Sequence, residues 1–429
     1  MNASTSLARR LGTFDAVVIG LGSMIGAGVF AAFAPAAKAA GSGLVIGLLL
    51  AAAVAYCNAT ASAQLAAQYP TSGGTYVYGR ERLGEWWGFL AGFGFVVGKT
   101  ASCAAMALTF AAYAVPGPSW AQRLAALAAV VALTTANYHG ISRTARLARV
   151  LVAGSLLALL IVVGAILASG EASTGRIGGL SSLGDGGVHG LLQAAGLLFF
   201  AFAGYARIAT LGEEVHEPAR TIPRAIPLAL GIVVVVYLVV GVAALTAAGP
   251  AALAAGSTPL ATAARAVGAA WAVPVVRVGA AVASLGALLA LIAGVGRTGM
   301  AMARNGDLPR WLASVHPRHR VPDHAELAVA AVVAVLVLTT DLRGAIGFSS
   351  FGVLVYYAVA NASAYTQSRE HRRWPRWLNV AGLVGCVALV VSLPLSAVAA
   401  GVVVFAVGLS GRAVLKLTGV SIFRRRTTD

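Results

Sequence analysis

Acidic residues are scarce in this chain. There are 14 Asp and Glu in 429 residues, against 31 Lys and Arg and 7 His. Charged residues make up 10% and hydrophobic residues 59%. A soluble domain carries roughly a quarter of its residues as charges, so this composition excludes a water-clothed globule. The 3 cysteines, Cys57, Cys103 and Cys386, are odd in number, and each lies in an apolar run. That excludes a disulfide framework or a cysteine metal site and reads as small buried apolar residues. The histidines are scattered, mostly in polar connections, with none in the middle of an apolar run. A zinc site is therefore not expected, nor a membrane-embedded enzyme with a converging nucleophile and base. No cofactor is called for. Asp15 opens the first apolar run, Glu85 opens the third, and the other acidic residues fall in connections, at helix ends or in the tail. With no carboxylate at mid-depth, a proton relay through a buried Asp or Glu is not expected. Neither is a deep counter-ion for a cationic cargo.

What is present in quantity is apolar sequence. Runs near the 20 or so residues needed to cross a hydrocarbon core recur from end to end. Twelve spans are expected, at about 14–34, 43–65, 86–114, 119–137, 147–168, 191–212, 225–248, 272–301, 325–340, 344–366, 377–393 and 396–416. The first run is too long for a cleavable signal sequence. Alternate assignment of the connections sorts the positive charge. With the N-terminus inside, 22 of the 31 basic residues fall inside, from Arg9 and Arg10 through Arg143, Arg146 and Arg320 to Arg424–Arg426. Only Lys38, Arg123, Arg176, Arg265 and Arg343 fall outside. The net charge of +17 is thus a topology signal rather than a nucleic-acid footprint, and both termini are expected in the cytoplasm. The partners are the lipid bilayer and a small molecule, with no nucleic acid. The basic end also suits anionic lipid.

Two spans are built unlike the rest. Gly22–Phe30, GSMIGAGVF, puts three glycines where a spanning helix wants its best formers. Each costs roughly 1 kcal/mol against alanine. The stretch is either a seam of small residues or an unwound segment, and broken backbone at that depth must be buried or line a cavity. Phe199–Tyr205, FFAFAGY, is a second cluster of aromatic and small residues, in span six. Breaks in the first span of two five-span groups, entering from opposite sides, are what an inverted repeat leaves in a sequence. The expected layout is a cytoplasmic stretch 1–13, a first repeat 14–168, a second repeat 191–366, two further spans over 377–416 and a tail 417–429. The polar, aromatic connection Gln68–Gly84 reads as a short cytoplasmic or re-entrant element.

Four motifs carry a family resemblance. GSMIGAGVF with Pro35, YPTSGGTYVY, FFAFAGYARIATLGEEVHEPARTIPRAIP and GVGRTGMAMARNGDLPRWLASVHP together resemble the amino acid–polyamine–organocation (APC) superfamily of permeases, over residues about 12–400. The resemblance implies an all-α, LeuT-like five-plus-five inverted repeat with two extra helices, working by alternating access. It implies that backbone N–H groups of Gly26, Ala27 and Gly28 hold a substrate carboxylate. Carbonyls near Met24 and Ile25 and around Ala201, Phe202, Ala203 and Gly204 would hold the ammonium. Phe200 takes the position of an aromatic gate, and Thr100 joins the substrate set. Helix-end dipoles suit such a zwitterion without buried protein charges.

Charged residues inside apolar runs need a reason. Lys99, near the centre of span three, costs about 2.5–3.5 kcal/mol on insertion scales and should face the bundle interior. Many relatives place a lysine in span five, and the alignment puts Ser155 there. Lys99 therefore either substitutes for that lysine in coupling or is a structural lysine capped by carbonyls of the broken helices. Arg207 follows the second break and either pairs with a carboxylate, Glu213 or Glu214 among them, or forms a gate on the cytoplasmic side. Glu213 and Glu214 are expected to form a network with Arg304 or neighbouring residues. Ser284 completes the coupling and gating set. Arg277 and Arg297, toward the ends of span eight, read as structural.

The expected function is a secondary-active amino acid uptake transporter of a bacterial inner membrane, proton-coupled or facilitative, for neutral or broadly chosen substrates. An exchanger and a polyamine or organocation permease of the same fold are the alternatives.

Overall fold

Glycine and proline punctuate a chain that is otherwise almost continuous helix. The computed structural model describes residues 11–71, 73–139, 145–177, 186–319 and 321–417. Arg9, Arg10, Ser72, Arg143, Arg320 and Arg424–Arg426 are outside the described residues. There is no β-strand among the described residues, only an isolated bridge between Leu11 and Val215.

The helices follow in order. α1 (Thr13–Met24), α2 (Ala27–Ala31) and α3 (Phe33–Ala40) occupy the first expected span, and α4 (Leu44–Gln68) the second. α5 (Thr75–Leu83) is the short element expected between spans two and three. Next come α6 (Glu85–Ala114), α7 (Ser119–Tyr138), α8 (Ala145–Ala168), α9 (Gly187–Phe202) and α10 (Ala206–Ala209). α11 (Pro218–Ala254), α12 (Pro259–Ala266) and α13 (Val273–Arg304) lead to α14 (Asp323–Thr339), α15 (Leu342–Tyr365), α16 (Arg376–Ser392) and α17 (Leu395–Leu417).

Among the described residues, 9 helical stretches are long and apolar enough to cross a membrane. The chain is thus an all-helical, multi-pass membrane protein. Expected spans four, nine and eleven fall on α7, α14 and α16, which are not among those stretches. α14 and α16 have 17 residues each. α7 has 20, interrupted by Gln122, Arg123 and Asn137.

Span seven begins earlier than the sequence suggests. The Pro-punctuated run after Glu217 was expected as a loop, yet helix starts at Pro218. Proline at the first helical position sacrifices an N–H that has no acceptor anyway. Pro223 and Pro227 then sit inside the helix, and the chain turns only at Gly249, with φ 73°, before Pro250.

Polar pairs join helices inside the bundle. Ser102 and Ser349 hydroxyls lie 2.6 Å apart between α6 and α15. Asn361 donates to Asn58 at 2.6 Å, joining α15 to α4. Because lipid tails are as apolar as the helix surfaces, such bonds and small-residue contacts replace hydrophobic association as the glue.

Most of the connections sort onto two faces. On one, Arg149 pairs with Asp15, Lys416 with Glu85, Arg80 with Asp307, and Arg373 donates to the Ala219 carbonyl. On the other, Arg123 donates to the Val337 carbonyl, Arg176 to that of Ala247, and Arg343 to the Gln193 side chain.

Candidate site between two interrupted helices

The first break is a true interruption. Helical geometry fails at Ile25 (φ −81°, ψ 52°) and Gly26 (φ −100°, ψ −133°). α2 resumes at Ala27, so the amides of Gly26, Ala27 and Gly28 open a helix whose first-turn N–H groups have no intrahelical acceptor. Met24 to Gly28 are all buried.

The second break is milder than expected. α9 runs through Phe200, Ala201 and Phe202 and tightens into a 3₁₀ turn at Ala203–Tyr205 before α10. The backbone stays near helical values, with Ala203 at φ −63°, ψ 0°. Only one glycine, Gly204, lies in this stretch, so local glycine content gives no reason to unwind.

The two breaks touch. A Cβ on Gly204 would fall on the Ser23 carbonyl and 2.7 Å from the Met24 nitrogen. A Cβ on Gly28 would lie 2.6 Å from the Ala201 Cα. Glycine is required at both positions because backbone meets backbone there.

Three side chains reach the carbonyls at this junction. The Tyr237 hydroxyl lies 2.6 Å from the Met24 oxygen and 3.1 Å from that of Ala201, bridging the breaks. The Tyr357 hydroxyl and the Lys99 ammonium both donate to the Ala203 oxygen, at 3.2 Å and 3.3 Å. Lys99 is 6% exposed, so its charge leaves water for a carbonyl at the break. The sequence reading missed both tyrosines. Tyr237 had a signal: it is the one polar side chain in the run Gly231–Ala244.

The remaining expected residues are spread out. Phe200 is buried in α9, one residue before Ala201. Thr100 bonds back to the Val96 carbonyl at 2.7 Å, and Ser155 to that of Leu151 at 2.8 Å. Ser284 is fully buried in α13, and its hydroxyl has no hydrogen-bond partner. It lies between Ala283 and Ala287, both of which face Gly26. A cavity of about 470 Å³ lies between α6, α13, α14, α15 and α17. Of the expected site residues it is lined by Thr100 alone, and its wall is otherwise mostly apolar.

Arg207 pairs with Glu214 at 3.7 Å and donates to the Thr210 hydroxyl at 3.1 Å. Glu214 therefore meets Arg207 rather than Arg304, which is exposed at the end of α13. Glu213 is also engaged in an interaction. Arg297 on α13 lies near enough to Arg207 for their charges to repel.

A second polar cluster closes the face that carries α5 and the end of α17. Asp307 accepts from Arg412 and Tyr76 at 2.8 Å and 2.7 Å, and from Arg80 at 3.1 Å. Arg412 is 1% exposed and packs under the Trp86 ring, 4.3 Å from its centroid. Burial, with the Asp307 carboxylate beside it, pushes the Tyr76 phenol up to about 12. On the same face His139, His316 and His319 converge, with ring centres 5.3 Å (His139–His319) and 4.8 Å (His316–His319) apart.

One interrupted helix and one tightened helix thus meet inside an apolar, multi-pass bundle, and the candidate site lies at their junction. A family model described as amino acid permease matches residues 11–414. The chain belongs to that family, within the APC superfamily, and is a transporter of the permease type. It is 62% identical over 425 residues to a protein of Mycobacterium tuberculosis named only as a transporter, covering 99% of this chain and 94% of that one. It is 28% identical over 380 residues to the branched-chain amino acid permease of Bacillus subtilis, covering 83% and 80%. It is 30% identical over 382 residues to human cationic amino acid transporter 4, covering 84% of this chain and 60% of the human protein.

Proposed function

We propose that this chain is a secondary-active amino acid uptake transporter of the bacterial inner membrane, cycling by alternating access. In this reading α7, α14 and α16 also span. The twelve spans form a LeuT-like five-plus-five repeat followed by two helices, with both termini in the cytoplasm. The basic face joining α1, α5, α10 and α17 is then the cytoplasmic one.

The substrate sits at the junction of the breaks. Its carboxylate takes the amides of Gly26, Ala27 and Gly28, where the α2 dipole favours negative charge. Its ammonium takes the carbonyls of Met24, Ala201 and Ala203 in place of Tyr237 and Lys99. Phe200 closes over it, and Thr100 and Ser284 complete the surroundings. The observation that carries this reading is the Tyr237 hydroxyl lying between the Met24 and Ala201 oxygens, since one donor group already lies within hydrogen-bond reach of acceptors from both helices.

Neutral side chains suit this site better than cationic ones. Lys99 at the junction, with Arg207 and Arg297 toward the cytoplasmic side, surrounds the route with positive charge. A thermal-shift screen of the purified protein against all amino acids and simple amines, followed by uptake into proteoliposomes, tests the proposal. Stabilisation by neutral amino acids and saturable uptake are expected. Amines lacking a carboxylate binding as tightly as amino acids would overturn the assignment of the amides.

A further inference from the structure

Glu326 is a buried carboxyl that the substrate site does not use. It lies in the first turn of α14 and is 2% exposed. Its Oε2 has no hydrogen-bond partner. The side chain is pressed against α13 at Gly296, where an added Cβ would meet the Glu326 Cγ at 2.7 Å. Its neighbours Ala325 and Val329 line the apolar cavity between α6, α13 and α14.

The charges around it are few. Arg297, adjacent to Gly296, attracts the Glu326 carboxylate, but no ion pair joins them, and its side chain is exposed and close to Arg207. Asp323, one turn earlier, is buried, repels Glu326 and has an oxygen without a partner of its own. The other elements packed on α14 direct their charges elsewhere. Lys99 of α6 is turned to Ala203, and Arg123 of α7 binds carbonyls at the far end of α14. Tyr138 meets the His316 ring edge-on, Arg310 lies in the short turn after Pro309, and the exposed His324 ring faces the Trp311 carbonyl.

A carboxylate with an oxygen lacking any donor, beside a second carboxyl and an apolar wall, is costly, and a bound proton removes that cost. An approach of Arg297 reverses the balance, because a guanidinium rewards the ionised form. We propose that Glu326 is a proton-binding site of the transport cycle, occupied in the conformation seen here and emptied to the cytoplasm when Arg297 pairs with it. Loading forms an O–H bond on the carboxylate from hydronium and leaves water. Release breaks that bond, returns the proton to water and leaves a carboxylate–guanidinium pair. The cycle is the one set out under Proposed function, so this inference rests on that reading. The proton site itself is readable without transport.

Difference infrared spectroscopy of the purified full-length protein across a pH titration tests it. One protonated-carboxyl signal is expected, absent in Glu326→Gln, retained in Asp323→Asn and persisting to higher pH in Arg297→Gln. Glu326→Gln should be as thermally stable as the unaltered protein at low pH, because glutamine resembles the neutral acid. In proteoliposomes it should exchange substrate with a flattened dependence on internal pH. An unchanged carboxyl signal, an unchanged pH profile, a signal that disappears with Asp323→Asn, or a marked loss of stability at low pH would overturn the proposal. If the unaltered protein moves no amino acid, the transport reading fails, while the infrared signal still decides the proton site.

Discussion

The Lys99 ammonium lies 3.3 Å from the carbonyl oxygen of Ala203, anchoring the buried charge of α6 on the backbone of the second interrupted helix. This is the capped arrangement, one of the two roles weighed for Lys99 from sequence. Removing it leaves Tyr357 as the other donor to that oxygen. Lys99→Ala is expected to lower stability by about 1–3 kcal/mol through the lost charge-assisted bond. Unfolding curves in detergent measure the cost, and uptake of the variant across pH reports any role in coupling.

Tyr237→Phe removes the hydroxyl that holds the Met24 and Ala201 oxygens together. The unliganded protein should lose about 1 kcal/mol. If the same oxygens receive the substrate ammonium, the ligand-induced rise in melting temperature becomes larger in the variant. An equal rise in both proteins would place the ammonium elsewhere.

Gly204→Ala drives a methyl group into the Ser23 carbonyl and the Met24 nitrogen. Backbone on both sides cannot yield as a flexible side chain would. The expected loss is about 1–3 kcal/mol of overpacking strain, with uptake abolished. Gly294→Ala in α13, which meets nothing within 4 Å, is the control and should leave uptake unchanged while gaining about 1 kcal/mol of helix propensity.

Asp307→Asn removes the nearer of the two carboxylates beside Arg412, leaving Glu85 at 3.7 Å, and weakens the hold on Arg80. A guanidinium 1% exposed that loses its closest carboxylate costs at most about 3–5 kcal/mol. Hydrogen exchange should speed up in α17 and α5 before the rest of the bundle. Adding Arg412→Met should recover part of the loss, since an apolar side chain tolerates the buried position.

His319 titrates lower than an ordinary imidazole, through partial desolvation and the neighbouring His316, His139 and Arg318. The folded connection therefore binds fewer protons than its unfolded form, so its stability rises with pH. That stability is complete above the ordinary imidazole value of about 6.5 and is lost as pH falls through the lower folded value. The His316 Nδ1 accepts from the amides of Arg318 and His319, at 3.3 Å and 3.1 Å. Hydrogen exchange over residues 304–319, corrected for its intrinsic pH dependence, should accelerate at acid pH and do so less in His319→Gln.

Legibility from sequence varied with the physics at each position. The first break was readable because Gly22, Gly26 and Gly28 withdraw helix propensity in one short stretch. The second was located but not described: aromatic and small residues marked it, yet they permit a tightened helix as readily as an unwound one. α11 starts before its expected position because proline both ends helices and begins them, and pattern alone does not separate the two. Both Arg207 and Arg304 were offered as partners for Glu214, and it meets Arg207, its near neighbour in the chain. Glu326 escaped notice because a residue in a first helical turn is ordinarily wet, and only the approach of Gly296 makes it dry. Tyr357 could not have been singled out among the 11 tyrosines, since its role depends entirely on which carbonyl lies opposite.

The short bridge at Leu11 bears on how the molecule moves. Leu11 donates to the Glu214 carbonyl at 3.1 Å and accepts from the His216 amide at 2.9 Å. The start of α1 is thereby laced to the segment leaving α10, while Gly204 and Ser23 lock the same two elements deeper in. With stitches at two depths, neither broken helix swings alone. In the cycle set out under Proposed function, rocking that opens one side of the bundle would carry α1 and α10 as a single lever, and cutting the outer stitch would let them part.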